Sequence, residues 1–262
     1  VSLPKINSNN GVTKLIEKCY WCGRDATSRE HVPPKCLFPE DKDIESIYKK
    51  TFRCSLITVL SCDEHNLAKS HHDEYLMVCL GGRVGNNGIA YIHTNTKIKR
   101  AIKRNSKLIQ VQGEDEISIL GKQFPVLFVQ IDNYRLMHSF ESIARALVFH
   151  EFSFCYQGRC QVIADIFFSP KDFKSTKFQA KSAQILSEER KRWGTEKKGD
   201  NPRIFTYQFS KVDAGGTFTV ALTFYEKTVV YIIMSLLDDK TYEKVKEQLK
   251  SKIDQFLNGI TV

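Results

Sequence analysis

Apolar residues recur at helical spacing along residues 133–152. Leu136, Phe140, Ile143, Ala144, Leu147 and Val148 fall on one face, so the pattern predicts an amphipathic helix there. Four β-branched and aromatic runs, QVIADIFF (161–168), RIFTYQFS (203–210), TFTVALTFYE (217–226) and TVVYIIM (228–234), are separated by turn-prone residues and predict a small sheet. FPVLFVQI (124–131) reads as a further strand. DDKTYEKVKEQLKSKIDQFLNG (238–259) reads as an amphipathic helix with an Asp N-cap and Gly259 just past its end. GGRVGNNG (81–88) punctuates the chain as a linker or tight loop. The expected class is α+β. The expected division is a polar lead-in at 1–18, a cysteine-rich module at 19–80, a linker and basic segment at 81–110, and an α+β domain at 111–262 that carries no catalytic pattern.

Composition narrows the picture without changing it. An apolar fraction of 42% over 262 residues is enough for a real core, which excludes wholesale disorder. No apolar run approaches the roughly 20 residues that cross a bilayer, and VSLPKINSNNGVTK lacks the apolar core of a secretory signal. A cytoplasmic protein with no membrane partner is therefore expected. The net charge of +9 points to a polyanionic partner. In that compartment, clustered cysteines read as metal ligands and scattered ones as small buried hydrophobes.

The cysteines cluster in CYWCGRDATSREHVPPK (19–35) and again at CDEH (62–65). Cys19 and Cys22 are separated by two residues, as are Cys62 and His65. Two ligands at that spacing approach a tetrahedral ion from one turn, so two such knuckles supply the closed N/S set of a structural Zn²⁺. Gly23 suits a knuckle that needs positive φ. The 39 residues between the half-sites exceed a minimal zinc ribbon, so something is inserted. A closed set leaves no open coordination position, and any chemistry must lie at a second site. The insert holds Glu30-His31, followed by Val32-Pro33-Pro34. The prolines end regular pairing and leave His31 at the end of a strand or turn. Asn66 follows His65 directly. In a helix beginning near residue 64, Asn66, Ser70 and Asp73 share a face.

This ordered run, C-x2-C, acid-His, then C-x2-(C/H)-N at a helix start, resembles the HNH (His-Me finger, ββα-metal) endonucleases. It is closest to the zinc-containing phage recombination endonuclease VII branch, and it is also similar to a group of uncharacterised bacterial HNH proteins. The resemblance covers residues 19–76 and does not reach the C-terminal domain. It implies a metal-dependent endonuclease that hydrolyses phosphodiester bonds in DNA, leaving a 5′-phosphate and a 3′-hydroxyl. His31 would be the general base that activates water. Glu30, Asn66 and Asp73 would hold a catalytic Mg²⁺ or Mn²⁺, with Cys19, Cys22, Cys62 and His65 on structural zinc. Two departures from the family stand out. His65 replaces the usual fourth Cys, and Glu30 replaces the more frequent Asp. The third family position falls among His71, His72, Asp73 and Glu74, with helical register favouring Asp73.

KIKRAIKRNSK (97–107) follows the module, and Lys97, Lys99, Arg100, Lys103 and Arg104 are expected to track phosphates, with Lys69 beside them. KSTKFQAK (174–181) and ERKRWGTEKK (189–198) are similar but more mixed, and Trp193 reads as packing or base stacking. His138 and His150 read as packing or surface residues, and Cys155 and Cys160 as ordinary thiols. The C-terminal domain is open to a partner protein or to self-association. The alternative to an enzyme is a non-catalytic, zinc-stabilised nucleic-acid-binding or protein-interaction module. The biological setting is open, with bacterial defence against phage as one that suits a stand-alone HNH protein.

Overall fold

A computed structural model describes residues 17–119, 121–167 and 173–237, with positions 240, 241, 244 and 247. The helix expected over 238–259 and the lead-in at 1–18 therefore lie almost wholly outside the described residues.

The chain is mixed α+β with three small antiparallel sheets among the described residues. Strand β1 (Ser28–Val32) pairs with β2 (Ile57–Ser61), setting Glu30 opposite Val59 and His31 opposite Thr58. Between them lies the short helix α1 (Asp41–Tyr48), and directly after β2 comes the long helix α2 (Asp63–Gly81). Pro33 ends β1 as its missing N–H requires.

The stretch GGRVGNNG forms the expected tight loop, with turns over 82–87, and the basic segment after it is helical. Asn87 caps α3 (Gly88–His93), its side-chain oxygen accepting from the Ile89 and Ala90 amides. A π-turn at Thr94–Ile98 leads on to α4 (Lys99–Arg104). Ile89, Ala90, Ile98 and Ala101 are buried, so this segment contributes to the core.

Strands β3 (Gln110–Ile119) and β4 (Lys122–Gln130) form a separate ribbon. The sequence pattern predicts β4 and misses β3, whose Gln, Glu and Asp residues show no apolar alternation. Helix α5 (Asn133–Phe152) has the predicted bounds, with Asp132 accepting at its N-cap from the Arg135 amide. The sheet predicted from the β-branched runs is formed by β5 (Cys160–Ala164), β6 (Phe205–Phe209), β7 (Thr217–Phe224) and β8 (Thr228–Ser235), in the order β5-β8-β7-β6. Helix α6 (Phe173–Arg190) precedes β6. Trp193 packs near the end of this helix against Ile163, Ala221 and Tyr231 rather than presenting a stacking face.

One hydrophobic cluster runs from Tyr20 through Leu76, Leu80, Phe140 and Leu147 to Phe224 and Met234. Helix α5 is its spine, and two polar links tie the N-terminal part to the rest. Tyr20 Oη lies 2.8 Å from Ser142 Oγ, and Tyr225 Oη donates to the Leu37 carbonyl at 2.6 Å. Among the described residues no helix is long and apolar enough to cross a membrane.

His93 gives the core a pH dependence. It is fully buried, and its Nε2 donates to the Cys36 carbonyl at 3.0 Å. Burial, reinforced by the Lys97 charge, pushes its pKa down to about 4. An unfolded His titrates near 6.5. The unfolded chain therefore takes up a proton that the folded chain refuses, so the stabilisation is complete above pH 6.5 and is lost as pH falls toward 4. The shift corresponds to about 3 kcal/mol. Urea unfolding at pH 7 and pH 5 is expected to show this loss in the wild type. It should be largely absent in His93→Gln, whose amide still donates to Cys36.

Candidate metal centre and adjoining acidic site

The first knuckle is a tight turn. The Gly23 amide donates to the Cys19 carbonyl at 2.9 Å, the Cys19 amide donates to the Arg24 carbonyl at 2.7 Å, and Gly23 sits at φ +70° as expected. The second knuckle opens α2. Cys62 is its N-cap residue, His65 lies in its first turn, and the Asn66 amide closes on the Cys62 carbonyl at 3.0 Å. The pairing of β1 with β2 brings the two knuckles together.

The ligand atoms of Cys19, Cys22, Cys62 and His65 all lie within 4.8 Å of one another. Cys22 Sγ is 3.8 Å from Cys62 Sγ, and His65 Nδ1 is 3.9 Å from Cys19 Sγ and 3.0 Å from Cys62 Sγ. A tetrahedral zinc site has S···S edges of about 3.8 Å and S···N edges of about 3.6 Å. The cluster thus fits a metal ion such as zinc in both donor chemistry and size. Burial holds the His65 imidazole below its ordinary pKa, which keeps it neutral and able to ligate.

Distant elements brace the cluster. Trp21 packs on His65 and His138 with ring centroids at 5.7 and 5.4 Å, and the Arg145 guanidinium lies over the Trp21 ring at 4.9 Å. The Cys155 thiol donates to the Tyr20 carbonyl at 3.2 Å, and Gln157 Nε2 donates to the Trp21 carbonyl at 2.8 Å. Cys155 is a buttress for the knuckle backbone, while the ligand set is complete without it.

Beyond the cluster, β1 and α2 face each other through two polar rungs. Ser28 and Glu30 share one face of β1 by the two-residue period, and Asn66, Lys69 and Asp73 share one face of α2. Asn66 Nδ2 donates to Ser28 Oγ at 3.0 Å, which fixes the amide against β1. Lys69 Nζ donates to Glu30 Oε1 at 2.7 Å and to the His31 carbonyl at 3.4 Å.

Lys69 was expected at a phosphate. The structure buries it to 2% exposure and commits it to Glu30, because three positions beyond Asn66 an α-helix returns to the face that meets β1. Glu30 is itself 5% exposed. Its Oε2 and the Asp73 Oδ1 are buried and have no hydrogen-bond partner among the described residues. Burial, with the Glu30 charge adding and Lys69 opposing, raises the Asp73 carboxyl to about 6. Two buried carboxyl oxygens are thus left unsatisfied beside one ammonium, an arrangement that calls for an explanation.

His31 follows Glu30 in the strand and so leaves β1 on the opposite side, partly exposed. Burial, then the charges of Lys35 and Lys69, hold its imidazole below the ordinary value, so it is neutral near pH 7. His72 accepts from Arg135 Nε at 3.3 Å and packs on His138, while Glu74 pairs with Arg104. Of the alternatives for the third position, Asp73 is the one that shares this site with Glu30. The side chain of His71 lies outside the described residues.

The basic stripe is largely neutralised. Arg100 bridges Asp43 at 2.7 and 2.9 Å and Glu40 at 2.9 Å, Lys97 lies 3.7 Å from Glu40, and Arg104 pairs with Glu74. These three hold the π-turn and α4 against α1 and α2 instead of standing free for phosphate. Lys99 and Lys103 remain exposed. The sequence reading missed Ser28 and the true partner of Lys69. Both could have been found from the strand and helix periods, had β1 been known to face α2.

Comparison with protein-family models, with characterised proteins and with solved structures gives no match for this chain.

Proposed function

We propose that this protein is a metal-dependent endonuclease of the HNH type, cutting phosphodiester bonds in DNA. The observation that carries the reading is the pair of buried, unpartnered oxygens, Glu30 Oε2 and Asp73 Oδ1, in a strand–strand–helix frame that also carries His31 and Asn66. Glu30, Asp73 and the Asn66 carbonyl oxygen would hold one Mg²⁺ or Mn²⁺. When bound, that ion offsets the negative charge that develops on phosphate oxygens. The closed cluster of Cys19, Cys22, Cys62 and His65 would hold Zn²⁺ and fix the start of α2.

The remaining work falls to side chains. Neutral His31 takes the proton of the attacking water at its imidazole, a role that its depressed pKa favours at pH 7. Burial, and after it the charges of Lys35 and Lys69, keep it unprotonated before the reaction. Ser28 fixes the Asn66 amide, and Lys69 fixes Glu30. Exposed Lys99 and Lys103 are available to position a duplex without reading its sequence.

The test is nicking of supercoiled plasmid by the zinc-loaded protein in Mg²⁺, in Mn²⁺ and in EDTA, with cation added back after chelation. Cation-dependent nicking that Mg²⁺ or Mn²⁺ restores, and added Zn²⁺ does not, is the expected result. Failure to cut plasmid, single-stranded DNA or RNA under any of these cations removes the reading.

A further inference from the structure

We propose that Lys69 sets which cation this site accepts. By occupying one oxygen of Glu30, it makes that carboxylate a one-oxygen ligand and favours Mg²⁺ or Mn²⁺ over Ca²⁺. The inference rests on the cation-assisted reading above and deepens it.

The ammonium of Lys69 sits 2.7 Å from Glu30 Oε1, with both side chains almost wholly buried. It also holds the His31 carbonyl at 3.4 Å, so it is fixed from two sides. The opposite oxygen, Oε2, is buried and has no partner among the described residues, as is Asp73 Oδ1 on the same face of α2. The carboxylate is thus divided: Oε1 is held by Lys69, while Oε2 is buried without a hydrogen bond of ordinary geometry, and the Tyr20 hydroxyl is a close neighbour of the same carboxylate.

That division matters differently to different ions. Ca²⁺ takes six to eight oxygens at about 2.3–2.6 Å and commonly uses both oxygens of a carboxylate. Mg²⁺ takes six at about 2.0–2.1 Å, keeps several waters, and is satisfied by single-oxygen contacts. Two-oxygen binding by Glu30 would require breaking a buried ion pair and stranding an ammonium away from water. The structure therefore withholds from Ca²⁺ a ligand atom that Mg²⁺ and Mn²⁺ do not need. Lys69 acts through Glu30, as a positioning residue.

The experiment measures dissociation constants for Mn²⁺ and Ca²⁺ by titration calorimetry on the zinc-loaded full chain, as wild type, Lys69→Gln, Lys69→Arg and Glu30→Gln. The ratio of the two affinities is the readout, because removing a positive charge strengthens both divalent ions alike and cancels. In Lys69→Gln the ratio should move toward Ca²⁺ by about tenfold, the scale of a lost neighbouring contact at a metal ligand. Lys69→Arg, which still donates to Oε1, should keep the wild-type preference. An unchanged ratio in Lys69→Gln overturns the proposal.

A second measurement needs no variant. Acetylation of Lys69 in the wild type, followed by peptide mass spectrometry, should be equally slow with and without saturating Mn²⁺, since the ammonium stays on Oε1. Faster labelling in Mn²⁺ means that the ion displaces Lys69, and the proposal fails. If the wild type binds no Mn²⁺, or Glu30→Gln binds it as well as the wild type, the cation site itself is wrong. If Mn²⁺ binds through Glu30 and the ratio does not move, only the role of Lys69 is lost.

Discussion

Cys19→Ser is expected to empty the metal cluster and lower the melting temperature by roughly 10 °C or more, the range for losses above about 4 kcal/mol in a chain of this size. A serine hydroxyl keeps its proton at neutral pH and is a poor zinc ligand, while the three remaining donors still crowd within 4.8 Å of one another. A structural metal contributes folding energy outright, so its loss is felt by whatever the knuckle organises. Here that is a large part of the fold. Cys19 is fully buried, Tyr20 reaches Ser142 in the middle of α5, and Trp21 packs on His65 and His138. Thermal unfolding by circular dichroism, with metal content measured on the same sample, checks both halves of the expectation. A variant that melts like the wild type while containing no zinc would show that the cluster carries no structural load. Cys155→Ala is the control. It removes a thiol that donates to the Tyr20 carbonyl and accepts from Gln157 Nε2 but is no member of the ligand set, so the metal content should stay unchanged.

His31→Ala is expected to lower the rate of DNA cleavage by about 10²- to 10⁴-fold, the usual contribution of a positioned general base, while leaving the fold and the metal cluster intact. The side chain is partly exposed and leaves β1 on the face away from Glu30, so its removal opens no cavity in the core. A drop of less than about tenfold would remove His31 from the mechanism. The pH profile gives an independent check. The base works only when neutral, so the rate must fall as pH drops through the His31 pKa, which burial and the charges of Lys35 and Lys69 hold below its ordinary value. Lys35→Ala removes one of those charges. The imidazole then binds its proton more readily, and the acidic limb of the profile should move to higher pH. A limb that stays in place would mean that another group sets it.

Features decided within a few residues of chain were legible before any fold was known. The two-residue spacers of both knuckles, the positive φ at Gly23, the bounds of α5 and the runs that become β5 to β8 all follow from local stereochemistry and apolar periodicity. Only the tertiary structure decided which charges meet. Lys69 and Glu30 are 39 positions apart, and their ion pair exists because β1 pairs with β2 and lies along α2. Arg100, Lys97 and Arg104 look like a free basic stripe until Glu40, Asp43 and Glu74 are set against them. His93 looks ordinary until α3 carries it into the core. Periodicity tells which face of an element is apolar or polar. It does not tell which other face will be opposite, and the strength of an electrostatic contact depends on that partner and on the exclusion of water around the pair.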